Sequence, residues 1–323
     1  MRILVTGGAG FIGSHLCQAL LGQGHQVEVL DDLSTGSLEN LEGLQGGRNL
    51  SLHVGSVNDA ALVERLVSRA QYVYHLASAV GVRLIIDQPV RTIESIVGGT
   101  TVVLEACHRH GTPFLLTSTS EVYGKGSRVP FCEEDDTVMG PTSTRRWSYA
   151  CAKALDEFLA LAYWVESRLP VTVVRLFNTV GPRQTGQYGM VIPTLVEQAL
   201  RGRPVTVYGD GTQTRCFTHV ADIVEALLAI PSHPETCGQV INLGNDQEIS
   251  ILQLAQEILK ATGSSSPLEI IPYEKAYGPG FEDMHRRVPS LQKAGRLLGY
   301  RPRHGLQDIL RDVVEEKRRK LAR

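Results

Sequence analysis

Paired cysteines, an excess of either charge and any long uninterrupted apolar run are all missing from this chain, and each absence removes a class of function. The six cysteines, Cys17, Cys107, Cys132, Cys151, Cys216 and Cys237, stand singly, without the close spacing of a zinc site or a small disulfide framework. They read as free thiols, most of them small buried apolar residues. No metal-ligand cluster stands out among the 10 histidines, so no metal is expected. Lysine and arginine number 32 against 34 acidic residues, which gives no broad electrostatic reason for nucleic acid or an anionic membrane as partner. Any anion must be bound locally. The apolar runs are too short and interrupted to span a bilayer, and no signal region precedes Arg2, so a cytoplasmic protein is expected.

What is present is an alternation. Apolar runs rich in valine and isoleucine at 2–6, 26–31, 50–54, 72–76, 114–118, 171–177 and 240–243 read as strands. Segments of helical period at 12–23, 59–68, 90–110 and 148–167 separate most of them. This is the pattern of an α/β protein with a Rossmann-type, doubly wound parallel sheet. The 323 residues are about twice a typical domain, so a second lobe is expected. After Asn178 the chain turns to glycine-bearing loops with helical stretches at 191–201, 220–230, 251–261 and 306–320, read as a smaller α/β lobe. The expected division is 1–180 and 181–323, interleaved, with segments of about 205–245 returning to the first lobe.

Thr6-Gly7-Gly8-Ala9-Gly10-Phe11-Ile12-Gly13 follows the first strand and opens the first helix. Without β-carbons, Gly7, Gly10 and Gly13 let the backbone turn tightly and approach a pyrophosphate, which then rests on free amides at the positive end of the helix. Asp31, ending the second strand, suits the adenosine ribose hydroxyls and repels a ribose phosphate, favouring NAD over NADP. Asp32 is placed to share that role, although Asp32 and Ser34 also look like turn chemistry.

Tyr149-Ala150-Cys151-Ala152-Lys153 sets a phenol and an ammonium one helical turn apart on the same face. The spacing alone is weak; with the glycine loop upstream it becomes an acid–base pair. A neighbouring ammonium and a cationic nicotinamide both favour the phenolate, which takes a hydroxyl proton as hydride leaves carbon. Thr117-Ser118-Thr119-Ser120-Glu121-Val122-Tyr123-Gly124 ends the fifth strand and so faces the same crevice. There Thr119 or Ser120 would bond a reacting hydroxyl and Glu121 would act as acid or base; turn capping by these hydroxyls is the plainer alternative.

Together these blocks resemble, nearly end to end, the extended short-chain dehydrogenase/reductase family, and within it the nucleotide-sugar epimerases, dehydratases and decarboxylases. His75-Leu76-Ala77-Ser78, Arg175-Leu176-Phe177-Asn178-Thr179-Val180-Gly181-Pro182-Arg183 and Val207-Tyr208-Gly209-Asp210-Gly211-Thr212-Gln213-Thr214-Arg215 extend the match. The resemblance implies cofactor contacts from Phe11, Ile12, Ser34, Thr35, Gly36, Ser56, Val57, Leu76, Ala77, Ser78 and Thr117. It implies substrate contacts from Ser120, Glu121, Asn178, Arg183, Val191, Tyr208, Arg215 and Arg287, the arginines suiting a pyrophosphate by their fork of donors. For Arg183 and Arg287 a surface ion pair is the competing reading. A nucleoside-diphosphate sugar, UDP-linked, is the implied substrate, and a homodimer through the helices at 90–110 and 148–167 the implied assembly.

Thr119-Ser120-Glu121 looks most like UDP-glucuronate decarboxylases, and Arg215 sits where those enzymes carry a catalytic arginine. In that reading, oxidation at C4 makes a β-keto acid from which carbon dioxide leaves. Departures are Ser56 where relatives often have aspartate, Ile96 in place of an asparagine, Arg146-Trp147-Ser148 before Tyr149, and the stretch 184–190 after Arg183. A C4 epimerase is the alternative using the same tyrosine, and an NAD-sensing regulator without turnover is the third, which intact Tyr149 and Lys153 argue against.

Overall fold

The computed structural model describes residues 1–44, 47–78, 88–186, 189–277 and 284–322. Seven parallel strands form the central sheet: β1 (Arg2–Thr6), β2 (Gln26–Asp31), β3 (Leu50–Val54), β4 (Tyr72–His75), β5 (Phe114–Thr119), β6 (Val171–Leu176) and β11 (Gln239–Leu243). Their spatial order is β11-β6-β5-β4-β1-β2-β3, so the strand order reverses between β4 and β1. Ligands of such sheets sit beyond the carboxyl ends at that reversal. Near-complete burial along β1, β4 and β6 explains their unbroken apolar runs, because both sheet faces are covered.

Helix α1 (Phe11–Gly22) and helix α6 (Val220–Ala229) pack together on one face, with Leu16, Leu20, Ile223 and Leu227 in their shared core. On the other face lie α2 (Ala60–Val67), α3 (Pro89–His110) and α4 (Trp147–Ser167), burying Val63, Val103, Leu104 and Ala160. Asp59 caps α2 by accepting from the Leu62 amide, as its position before the apolar period suggests. The strand and helix boundaries agree with those read from the sequence to within two residues.

A separate core, including Ile192, Val196, Leu254, Ile258, Ile309 and Val313, belongs to the smaller lobe. It joins α5 (Val191–Leu200), α7 (Ile251–Thr262), whose start carries a Ser250/Gln253 capping box, and α10 (Leu306–Leu321). Three two-stranded pairs escaped the sequence reading: β7 (Thr179–Val180) with β10 (Thr218–His219), β9 (Thr214–Cys216) with β12 (Glu248–Ser250), and β8 (Val205–Tyr208) with β13 (Leu268–Ile271). Strands of two to four residues carry too little periodicity to recognise. Two short helices, α8 (Tyr273–Tyr277) and α9 (Gln292–Leu298), were missed for the same reason. Within the stretch 205–245, α6 packs on α1 and β11 pairs with β6 in the central sheet, whereas Val205–Tyr208 pairs with β13.

Candidate active site

The glycine loop turns where a side chain has no room. Gly7 has φ +72°, and a β-carbon there would lie 2.7 Å from the Ala77 amide nitrogen. At Gly13 it would lie 2.1 Å from the Gly7 carbonyl oxygen. Gly10 is the N-cap of α1, and no side chain caps the helix, so its first amides remain for an anion. The cradle therefore fits the dinucleotide pyrophosphate that the sequence suggests.

Asp31 ends β2 just behind this loop. Its two carboxylate oxygens accept from the Ala9 and Leu33 amides, each at 2.9 Å, and burial raises its pKa. The side chain thus clamps the glycine loop to the end of β2, a task beyond the ribose contact expected of it. Asp32 accepts from both the amide and the hydroxyl of Ser34, forming the turn the sequence suggested. Gly36 lies against this clamp: a β-carbon there would be 2.9 Å from Asp31 Oδ1. Thr35 is exposed, and Ser56 accepts from the Asn58 amide beside buried Val57. Phe11 and Ile12 pack partly buried against the core behind α1. Across the strand reversal, the Leu76 amide bonds the Thr6 carbonyl, and Thr117 Oγ1 bonds the His75 carbonyl at 3.0 Å.

β5 runs into a single helical turn, Ser120–Tyr123, that Thr119 caps by accepting from the Glu121 amide at 3.2 Å. This turn aims Glu121 at two guanidinium groups. Arg146 Nη1 donates to Glu121 Oε2 at 2.5 Å and Arg287 Nη1 to Oε1 at 2.6 Å, and Arg287 also reaches Ser120 Oγ at 3.3 Å. Burial opposes the charge on Glu121, but Arg287, Arg146 and more distant Arg215 together hold its pKa down at about 2. Near neutrality these partners keep Glu121 anionic, so of the acid-or-base role expected of it the accepting form is the one favoured. Arg287 is positioned by a backbone exchange in which Phe131 bonds the Val288 carbonyl and Ser290 bonds the Phe131 carbonyl. Arg146 also lies over the Trp147 ring, 5.2 Å from its centre.

Arg215, read as the catalytic arginine, donates to the carbonyls of Thr214 at 2.7 Å and His285 at 3.5 Å, and its charge also acts on Glu121. Arg287 and Arg146 are the arginines in direct contact with Glu121. Arg146 was noticed only as a departure before Tyr149; the signal was there, three residues from the phenol, but nothing in it showed the charge turning inward.

Tyr149 stands at the start of α4, alongside these groups. Burial and then the Glu121 charge raise its pKa, while the hydroxyls of Thr119 and Ser78 favour its ionised form. Ser78 Oγ is buried and makes no hydrogen bond of ordinary geometry, so its influence on the phenol is one of proximity. Lys153 is 2% exposed and its ammonium meets Asp156 Oδ2 at 2.9 Å.

The remaining expected contacts divide. Asn178, at φ +36°, donates to the Cys216 carbonyl and ties β6 to β9; Val191 opens α5, and Tyr208, half-exposed, ends β8. Arg183 does not join the arginine pair: its Nη2 bonds Gln18 on α1 and its amide bonds Glu316 on α10. Of the departure at 184–190, residues 187–188 lie outside the described residues.

The NAD dependent epimerase/dehydratase family model matches residues 3–244. UDP-N-acetyl-alpha-D-glucosaminuronate decarboxylase of Bacillus cytotoxicus is 41% identical over 97% of this chain and 97% of its own. UDP-glucuronic acid decarboxylase 1 of Arabidopsis thaliana is 36% identical over 99% of this chain and 71% of its own. The crystal structure of UDP-glucuronic acid 4-epimerase from Bacillus cereus, in complex with UDP-glucuronic acid and NAD, superposes with a TM-score of 0.89 at 30% identity, covering 99% of this chain and 100% of the other.

Proposed function

Since the chain belongs to the NAD dependent epimerase/dehydratase family, we infer that it is an NAD-dependent enzyme that removes the carboxyl group of a UDP-linked hexuronate. The observation that carries this reading is Glu121 held as an anion between Arg146 and Arg287 beside Tyr149. Two buried guanidinium groups gathered beside the reacting tyrosine suit a sugar acid better than a neutral hexose. The decarboxylases among the similar proteins, one matching over nearly its full length, support it independently.

The glycine loop and the opening amides of α1 would hold the pyrophosphate, and the clamp by Asp31 keeps that loop in place. NAD bound there would supply reversible hydride transfer to and from the sugar. Tyr149 removes the proton of the 4-hydroxyl, its phenolate favoured by the hydroxyls of Thr119 and Ser78, with Lys153 one helical turn further on. A ketone at C4 lies β to the carboxylate, so the C5–C6 bond breaks with its electron pair delocalised into the ketone. Arg287 and Arg146, kept in register by Glu121, orient the carboxylate beforehand.

A second reading, C4 epimerisation, is favoured by the 0.89 TM-score to the UDP-glucuronic acid 4-epimerase. Incubating the NAD-loaded protein with UDP-glucuronate, UDP-N-acetylglucosaminuronate and UDP-glucose, followed by product mass, separates the two. Decarboxylation lightens the product by one carbon dioxide; epimerisation leaves its mass unchanged.

Assembly as a homodimer is part of the same reading. Leu155, Phe158 and Val165 on α4 are 52%, 72% and 66% exposed and share one helical face, beside Val90 and Ile93 of α3. Light scattering tests it. No described helix is long and apolar enough to cross a membrane, and a soluble nucleotide sugar as substrate fits work in the cytoplasm.

A further inference from the structure

Behind Lys153 runs a buried polar chain that the proposed chemistry does not use. Asp156 Oδ2 accepts from Lys153 Nζ at 2.9 Å and from Thr100 Oγ1 at 2.8 Å. Thr100 Oγ1 lies 3.2 Å from His75 Nε2, and His75 Nδ1 lies 2.8 Å from Thr6 Oγ1. Thr6 Oγ1 in turn accepts from the Ala77 amide at 3.3 Å. All five side chains are at most 2% exposed.

The proton positions follow from the end of the chain. A carboxylate only accepts, so the single Thr100 proton goes to Asp156, and His75 must donate from Nε2. Burial and the Lys153 cation keep His75 neutral, at a pKa of about 3, so its Nδ1 accepts and Thr6 donates. One direction of donation thus runs from the Ala77 amide to Asp156. Ala77 is the residue against which Gly7 packs so closely that a β-carbon would not fit.

We propose that Asp156 is a positioning residue for the acid–base pair: it fixes the Lys153 ammonium and, through Thr100, His75 and Thr6, ties it to the backbone that supports the glycine loop. The proposal rests on the assignment of Tyr149 as the proton acceptor. Its second consequence is electrostatic, since a buried carboxylate at Lys153 offsets part of the cation's pull on the phenol. The groups facing Asp156 are Lys153 and Glu157 on α4, Thr100 on α3 and His75 on β4. Those facing Tyr149 are Glu121 and Thr119 at the end of β5, Ser78 beyond β4, and Asp156 on α4 itself.

The test is the titration of Tyr149 in the NAD-loaded protein, read by nuclear magnetic resonance of tyrosine labelled at Cζ and assigned by the signal lost in Tyr149→Phe. Asp156→Asn keeps the shape and removes the charge, and should lower the midpoint by about one pH unit. Thr100→Val keeps the charge and removes a donor that disperses it, so the midpoint should rise by a smaller amount. A residue that merely held the fold would lower the melting temperature and leave both midpoints where they were; that result overturns the proposal. If Asp156→Asn does not fold, the upward shift in Thr100→Val decides alone. Carbon dioxide release by the unsubstituted protein tests the function separately, and its absence would leave the titration free to decide on Asp156.

Discussion

Gly7, Gly10 and Gly13 sit in one turn and the start of one helix and work through their backbone, whereas Glu121 and the Arg287 that meets it at 2.6 Å are 166 residues apart. Both groups lie beyond the carboxyl ends of the same sheet. The first is local, and its geometry follows from the residues that are missing a side chain. The second exists only after β5, α4 and the segment carrying Arg287 have been brought together. A local device tolerates change elsewhere in the chain; an assembled one depends on every element that supplies it.

The sharpest way to break this comparison is at the residue where the two groups act on one substrate. Tyr149→Phe should lower kcat about 1,000-fold while leaving dinucleotide affinity unchanged, measured by product formation and calorimetric titration. Equal losses in both would mean that the ring is structural. Next, Gly13→Ala places a β-carbon 2.1 Å from the Gly7 carbonyl oxygen and should weaken dinucleotide binding about 100-fold, or roughly 2.7 kcal/mol. The arginine pair should be untouched by it, so a normal acid-unfolding profile is expected of the same variant.

That profile is the signature of the assembled group. The pKa of Glu121 is depressed from 4.5 to about 2 on folding, so its contribution is complete above pH 4.5 and is lost as pH falls towards 2. The unfolding free energy from urea titrations should decline through that window by an amount on the order of 3 kcal/mol, and Glu121→Gln should remove much of the decline. The same variant should stop decarboxylation while C4 oxidation stays detectable as NADH absorbance. An unchanged slope would mean that the ion pairs at Glu121 do not form in solution. The smallest effect belongs to Arg183→Ala, whose side chain bonds Gln18 and not the Glu121 group: kcat/KM should change less than about two-fold.

The same contrast explains what was legible in the residues. The parallel sheet was, because buried strands leave unbroken apolar runs and helices leave a period. The glycine loop was, because its three positions, the strand before it and the helix after it all lie in a few consecutive residues. The placement of Tyr149 and Lys153 on one helix was, their spacing being one turn of α4. The partners of Glu121 were not. Arg287 was singled out as a substrate contact but with a surface ion pair as its rival reading, and Arg146 looked like an irregularity before the tyrosine, since a charge facing inward leaves no mark in a linear pattern. Arg215 drew the catalytic role by its motif, and its bonds to the Thr214 and His285 carbonyls required the fold. Asp31 was recognised as a carboxylate in a telling place, but its two bonds to Ala9 and Leu33 required the fold.

The most direct measurement is the mass of the nucleotide sugar recovered after UDP-glucuronate or UDP-N-acetylglucosaminuronate is incubated with the NAD-loaded protein, alongside its Tyr149→Phe variant. A product lighter by one carbon dioxide, formed by the parent and not by the variant, is the expected result. A product of unchanged mass but inverted C4, or equal turnover by both proteins, would contradict it.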